Sequence, residues 1–123
     1  FINHMQVTWT ELIPLDQAGV NRIKYNVSGV YRISHHDQTN NSYYVHYVGQ
    51  AENLKERLGQ HLAGSETNSC CNSFLKSHKC YFRACSISTQ SGRDGAEVAL
   101  YEKYQPKCVE RIPDVSAIEI NFE

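Results

Sequence analysis

The sequence predicts a small α+β domain: a mainly antiparallel central sheet of about three strands, flanked by helices. Two observations carry this. Two runs of β-forming residues, Val27–Ile33 and Tyr43–Val48, are separated by a polar, turn-rich stretch, the pattern of a hairpin. After Gly49 the apolar spacing lengthens from two to four, with Leu54, Leu58 and Leu62 in one helical stripe. The 123 residues supply one core and not two, which predicts a single domain over 6–123. Phe1–Met5 ends in His-Met, reads as the remnant of a cloning junction, and is left outside it.

The elements follow in order. Val7–Ile13 reads as a short strand or an irregular lead-in. Asp16 can cap a short helix to about Ile23. Val27, Gly29, Tyr31 and Ile33 share one face of the first strand, and Ser28, Val30 and Arg32 the other. His35–Ser42 reads as a loop. The first long helix spans about Asn53–Leu62 and ends at Gly64 and Ser65. A short helix is expected near Asn72–Ser77 and a third strand over Tyr81–Ile87. Ser91–Gly95 reads as a loop, Ala96–Tyr104 as a helix stopped before Pro106, and Ala117–Phe122 as a last edge strand.

Composition bounds the function. No apolar run is long enough to span a membrane, and no N-terminal stretch reads as a secretory signal. The formal net charge of -1 gives no support to a nucleic-acid partner. Lys55, Arg57, Lys76, Lys79, Arg83 and Arg93 do concentrate basic charge in the middle of the chain. Five cysteines cannot all pair within the chain, so reduced thiols in a cytoplasmic or other reducing intracellular compartment are expected. Cys70, Cys71, Cys80 and Cys85, with His78, raise the question of structural zinc. The adjacency of Cys70 and Cys71 breaks the paired ligand spacing and argues against it.

Gly29-Val30-Tyr31 and Tyr47-Val48-Gly49 stand on the two hairpin strands. Arg57 follows Tyr47 by ten positions, His61 lies one helical turn later, and Glu97 precedes Pro106 by nine. Together these residues resemble the signature of the GIY-YIG nuclease family, in the form found in its homing and restriction members. The resemblance covers about Val27 to Pro106. It implies a metal-dependent endonuclease hydrolysing phosphodiester bonds in DNA, with Tyr31, Tyr47, Arg57, His61 and Glu97 as catalytic residues. Glu97 would hold Mg²⁺ or Mn²⁺. Double-stranded DNA is the expected partner, cut by a homodimer or in two visits, with no membrane partner. A catalytically silent nucleic-acid-binding module of the same fold and a zinc-stapled interaction domain are the competing readings.

The residue types suit the chemistry. Arg57 and His61, at i and i+4, share a helix face. A guanidinium can hold a phosphate and stabilise developing charge. Imidazole exchanges protons near neutral pH. One carboxylate suffices for Mg²⁺ when water and phosphate oxygens complete the ligand set. What the resemblance implies for Tyr31 is activation of the attacking water, with His61 relaying the proton. Two departures stand out. The family commonly places an Asn shortly after the proline, whereas Pro106-Lys107-Cys108-Val109 has none, and Asn121 serves only if the chain folds back. The segment Arg32–His46 is also longer than in compact members, and its His35, His36, Asn40 and Asn41 read as a solvated loop.

Overall fold

The computed structural model describes residues 4–63, 68–109 and 111–123. The order is β1 (His4–Met5), β2 (Ile13–Pro14), α1 (Gln17–Val20), β3 (Gly29–Asp37), β4 (Ser42–Ala51), α2 (Leu54–Ala63), α3 (Ser69–Ser77), β5 (Cys80–Ser86), α4 (Gln90–Tyr104) and β6 (Glu119–Ile120). The main sheet runs β2-β5-β3-β4 and is antiparallel throughout. The expected end of the first long helix at Gly64 and Ser65 lies outside the described residues.

Period two on β3 explains the layering. Tyr31 and Ile33 enter a core with Leu54, Leu58, Phe82 and Cys71, on the side of α2 and α3. Val30 enters a second core with Val48, Ala96 and Leu100, on the side of α4. Arg32 is buried on that second face, between Trp9 (4.6 Å) and Tyr104 (5.1 Å). Both faces of the sheet are therefore covered, and β4 forms one edge, opposite β2.

The hairpin is longer than expected. His35, His36 and Asp37 belong to β3, paired with Tyr44, Tyr43 and Ser42. Cross-strand ring contacts explain why polar residues hold the strand: His36 with Tyr43 at 4.8 Å and His35 with Tyr44 at 5.9 Å. The ladder slips once, because Ile33 faces Tyr47 while Ser34 faces Val45, making His46 the extra residue of a β-bulge. Tyr47 and His46 consequently present rings on the same side, to His61 and Phe74 respectively.

Helix α4 begins at Gln90, so the loop expected at Ser91–Gly95 is helical. Thr89 caps it by accepting from the Gly92 amide. Gly95 signals packing here and not a turn: a Cβ at this position would lie 2.4 Å from Ile118 Cγ1. The expected strand over Ala117–Phe122 contracts to β6, which pairs in parallel with His4–Met5 and not with the main sheet. Two of the residues set aside as a remnant thus take part in the fold. Helix α1 is capped by Asp16, and α3 starts at Ser69, with Asn68 accepting from the Cys71 amide. The lead-in touches the sheet at Trp9–Cys85 and at β2.

The expectation of five reduced thiols is corrected. Cys70 and Cys108 form a disulfide, and Cys71, Cys80 and Cys85 are buried thiols. With its ends 38 positions apart in sequence, such a link stabilises by about 4 kcal/mol in the chain-entropy picture. Burial raises the Cys80 thiol to about 11 and the Cys85 thiol to about 12, which makes both inert. Cys70 is committed to the disulfide, and Cys85 belongs to the opposite core from Cys71 and Cys80. No group of three metal-binding side chains converges among the described residues. Among them too, no helix is long and apolar enough to cross a membrane.

The approach of β3 to β5 leaves no room at position 29, where a Cβ would lie 1.9 Å from the Cys85 carbonyl oxygen. A Cβ at Gly59 on α2 meets nothing within 4 Å. Gly29→Ala should therefore destabilise the protein by about 3 kcal/mol or more. Gly59→Ala should stabilise it by roughly 0.5–1 kcal/mol. Urea titrations of both variants against wild type check this, and an unaltered midpoint for Gly29→Ala would contradict the packing described.

Candidate active site

The edge strand β4 is where three elements converge. Tyr47 comes from β4, Arg57 from the middle of α2 on one side of the sheet, and Glu97 from α4 on the other. All three line one cleft of about 630 Å³, with Gly49, Gln50, Asp94 and Tyr101. Arg111, Pro113, Asp114 and Val115 form its far wall. The Arg57 guanidinium approaches the Tyr47 hydroxyl at 3.4 Å and the Gln60 side chain at 3.5 Å, both long contacts.

Tyr31 and His61 lie behind this cleft and do not line it. Both are fully buried. The Tyr31 hydroxyl meets His61 Nε2 at 2.8 Å, and the two rings meet edge to face at 5.6 Å. The Tyr31 ring also lies 6.1 Å from that of Tyr47. Gly49, opposite Tyr31 in the ladder, makes this placement feasible: a Cβ there would sit 2.7 Å from the Tyr31 hydroxyl oxygen. Since Gly49 lines the cleft, the Tyr31 hydroxyl lies directly under the cleft floor. The expectation that Arg57 and His61 share one cleft is thus modified. The i, i+4 stripe turns His61 inward toward Tyr31 and Cys71, while Arg57 stays half-buried at the opening.

The oxygen-rich lining suits a hard divalent cation. Glu97 supplies a carboxylate, and Asp94 stands one helical turn before it on the same cleft. Gln50 donates to Asp94 Oδ1 at 2.8 Å, and Gln90 donates to the same oxygen at 2.8 Å. Among the described residues no thiol or imidazole lines the cleft, so soft-metal ligation finds no donors among them. The sequence motifs do not single out Gln50 or Asp94. The adjacency of Gln50 to Tyr47-Val48-Gly49 and the i, i+3 spacing of Asp94 and Glu97 were the available signals.

The replacement for the missing Asn is not Asn121. Its amide accepts from the Val7 amide and donates to the Val7 carbonyl, fastening the N-terminal segment instead. The stretch after Pro106 does reach the edge strand, because the Cys108 amide donates to the His46 carbonyl at 2.9 Å. His46 itself is buried beside this junction. Burial first, then His35, His78 and His61, push its pKa down to about 3, so it is neutral near physiological pH.

The family model described as the GIY-YIG catalytic domain matches residues 27–109. Among solved structures, the chain is similar to the GIY-YIG N-terminal endonuclease domain of UvrC from Thermotoga maritima. A tyrosine-to-phenylalanine mutant of that domain, bound to its catalytic divalent cation, aligns with a TM-score of 0.55 and 16% identity, covering 78% of this chain and 99% of that one. An asparagine-to-alanine mutant, also cation-bound, gives 0.54 and 18% over the same shares. No curated protein sequence matches the chain. The structural likenesses establish a common fold, and the matched segment takes in both tripeptides, α2 and Glu97. The chain belongs to the GIY-YIG family, and residues 27–109 are its catalytic domain.

Proposed function

We propose that the protein is a divalent-cation-dependent endonuclease that hydrolyses phosphodiester bonds in duplex DNA. The supporting observation is the delivery of Tyr47, Arg57 and Glu97 to one cleft by three separate elements. The related UvrC domain was solved with a catalytic divalent cation, which agrees with this reading.

The scissile phosphate lies in the cleft against Arg57, whose guanidinium neutralises its charge as the pentacovalent state develops. The Tyr47 hydroxyl, beside Arg57, orients a phosphate oxygen. The attacking water sits over Gly49 and, once the cleft floor admits it to the buried Tyr31 oxygen, passes a proton to that oxygen as Tyr31 passes its own to His61 Nε2. The water oxygen bonds to phosphorus, the bond to the leaving sugar oxygen breaks, and that oxygen takes a proton from solvent. Glu97 would hold Mg²⁺ or Mn²⁺, and a cation there supplies Lewis-acid stabilisation of the leaving oxygen. One cleft breaks one strand, so a double-strand break requires a second copy of the chain or a second visit.

Plasmid nicking tests the reading. Chelation should abolish it, and Glu97→Gln should lose cleavage at any Mg²⁺ concentration while its DNA affinity stays within a few-fold of wild type. Wild-type cleavage by Glu97→Gln would remove the carboxylate from the reaction. A wild-type protein that binds DNA and never cuts it would identify a silent binding module instead.

Arg57→Ala should lower the single-turnover rate by roughly 10²-fold or more, since it removes a group aimed at developing charge. A loss confined to DNA affinity would limit Arg57 to ground-state binding. His61→Ala should flatten the acid limb of the rate–pH profile, because the imidazole must be neutral to accept a proton. Parallel profiles at fixed salt would leave His61 a structural contact only.

A further inference from the structure

The buried face of α3 holds a group that the reaction as described does not use. Cys71 is fully buried, and its Sγ lies 3.7 Å from His61 Nδ1, on the opposite side of the ring from Tyr31. We propose that Cys71 is a positioning residue for the nuclease reaction, accepting the Nδ1 proton of His61 and so leaving Nε2 open to the Tyr31 hydroxyl. The proposal rests on the reading of His61 as proton acceptor given above, and it names what makes the imidazole competent.

A neutral imidazole carries one proton, and the hydrogen bond at one nitrogen decides the state of the other. If the proton sat on Nε2, that nitrogen would donate to the Tyr31 oxygen and could not take the phenolic proton. With the proton on Nδ1, the ring needs an acceptor on that side, and the sulfur of Cys71 stands there. Thiol sulfur is a weak acceptor and carries no charge. It can therefore set the tautomer without stabilising the imidazolium so strongly that the proton is retained.

The sulfur is held where this role requires. The Cys71 amide is fixed by the Asn68 side chain at 3.0 Å. The preceding residue, Cys70, is bonded to Cys108, whose amide is in turn bonded to the His46 carbonyl on β4. One turn further on, Phe74 stacks on His46 at 4.4 Å and on His35 at 4.5 Å. Helix α3 is thus fastened to the same hairpin that carries Tyr31, and Tyr31, His61 and Cys71 form one buried line.

Long-range ¹H–¹⁵N spectra of the wild-type protein, with His61 assigned from the signal lost in His61→Gln, read the tautomer directly. Above the imidazole's titration range, the expected result is a protonated Nδ1 and an unprotonated Nε2. In Cys71→Ala both nitrogen shifts should move toward an averaged, mixed-tautomer value. The turnover number on plasmid should fall roughly 10-fold or more with KM unchanged. A wild-type spectrum showing the proton on Nε2 overturns the proposal without any variant, as do unmoved shifts in a folded Cys71→Ala. If His61→Ala cleaves like wild type, the relay itself fails, and the ring spectra still decide whether Cys71 sets the tautomer.

Discussion

The hydroxyl of Tyr31 occupies the space that a side chain at position 49 would fill. Much of the site depends on this exchange of volume across the hairpin. Because Gly49 has no side chain, a large aromatic on the neighbouring strand can lie flat beneath β4 and reach His61. Gly29 plays the matching part on the other side of β3, where only a bare backbone admits the Cys85 carbonyl. The two glycines of the paired tripeptides are therefore steric permissions: Gly49 admits the Tyr31 ring, and Gly29 the backbone of β5. A sequence that kept the tyrosines and lost the glycines would have the right groups and nowhere to place them.

The second constraint is that β4 is an edge. A central strand has neighbours on both sides, and a helix can approach it only over a face. At an edge, α2 and α4 pack on opposite faces and still bring side chains round to a common opening. That is how Arg57 and Glu97 come to line one cleft although the sheet separates their helices. The bulge at His46 adds to this by turning two consecutive residues to the same side, one into the packing of α3 and the next toward the site. An exposed edge normally invites another chain. Here the stretch after Pro106 takes one rung of it through the Cys108 amide.

Much of this was legible in the sequence because the signals were local. Period two gave the hairpin, period 3.6 gave α2, and fixed spacings singled out Arg57 and Glu97, which share the cleft, and His61, which lies behind it. Misreadings arose where a local signal had a tertiary cause. Gly92 and Gly95 look like turn residues, yet they let the start of α4 pack closely. His35 to Asp37 look like loop, yet their rings pair across the strand. The disulfide joins residues distant in sequence, and nothing local at Cys108 announces it. Cys71 is the same case: its significance lies in what faces it across the core, and no spacing encodes that. The burial of His61 likewise followed from how far the helix rotates against the sheet.

The order in which the chain supplies these parts has a consequence for a shortened chain. The hairpin and α2 are contiguous and carry Tyr31, Tyr47, Arg57 and His61. Glu97 comes only after β5, and the strap that ties α3 to the edge strand comes later still, with Cys108. A chain cut short before α4 would keep Tyr31, Tyr47, Arg57 and His61 and lack the carboxylate of Glu97, which α4 brings to the cleft.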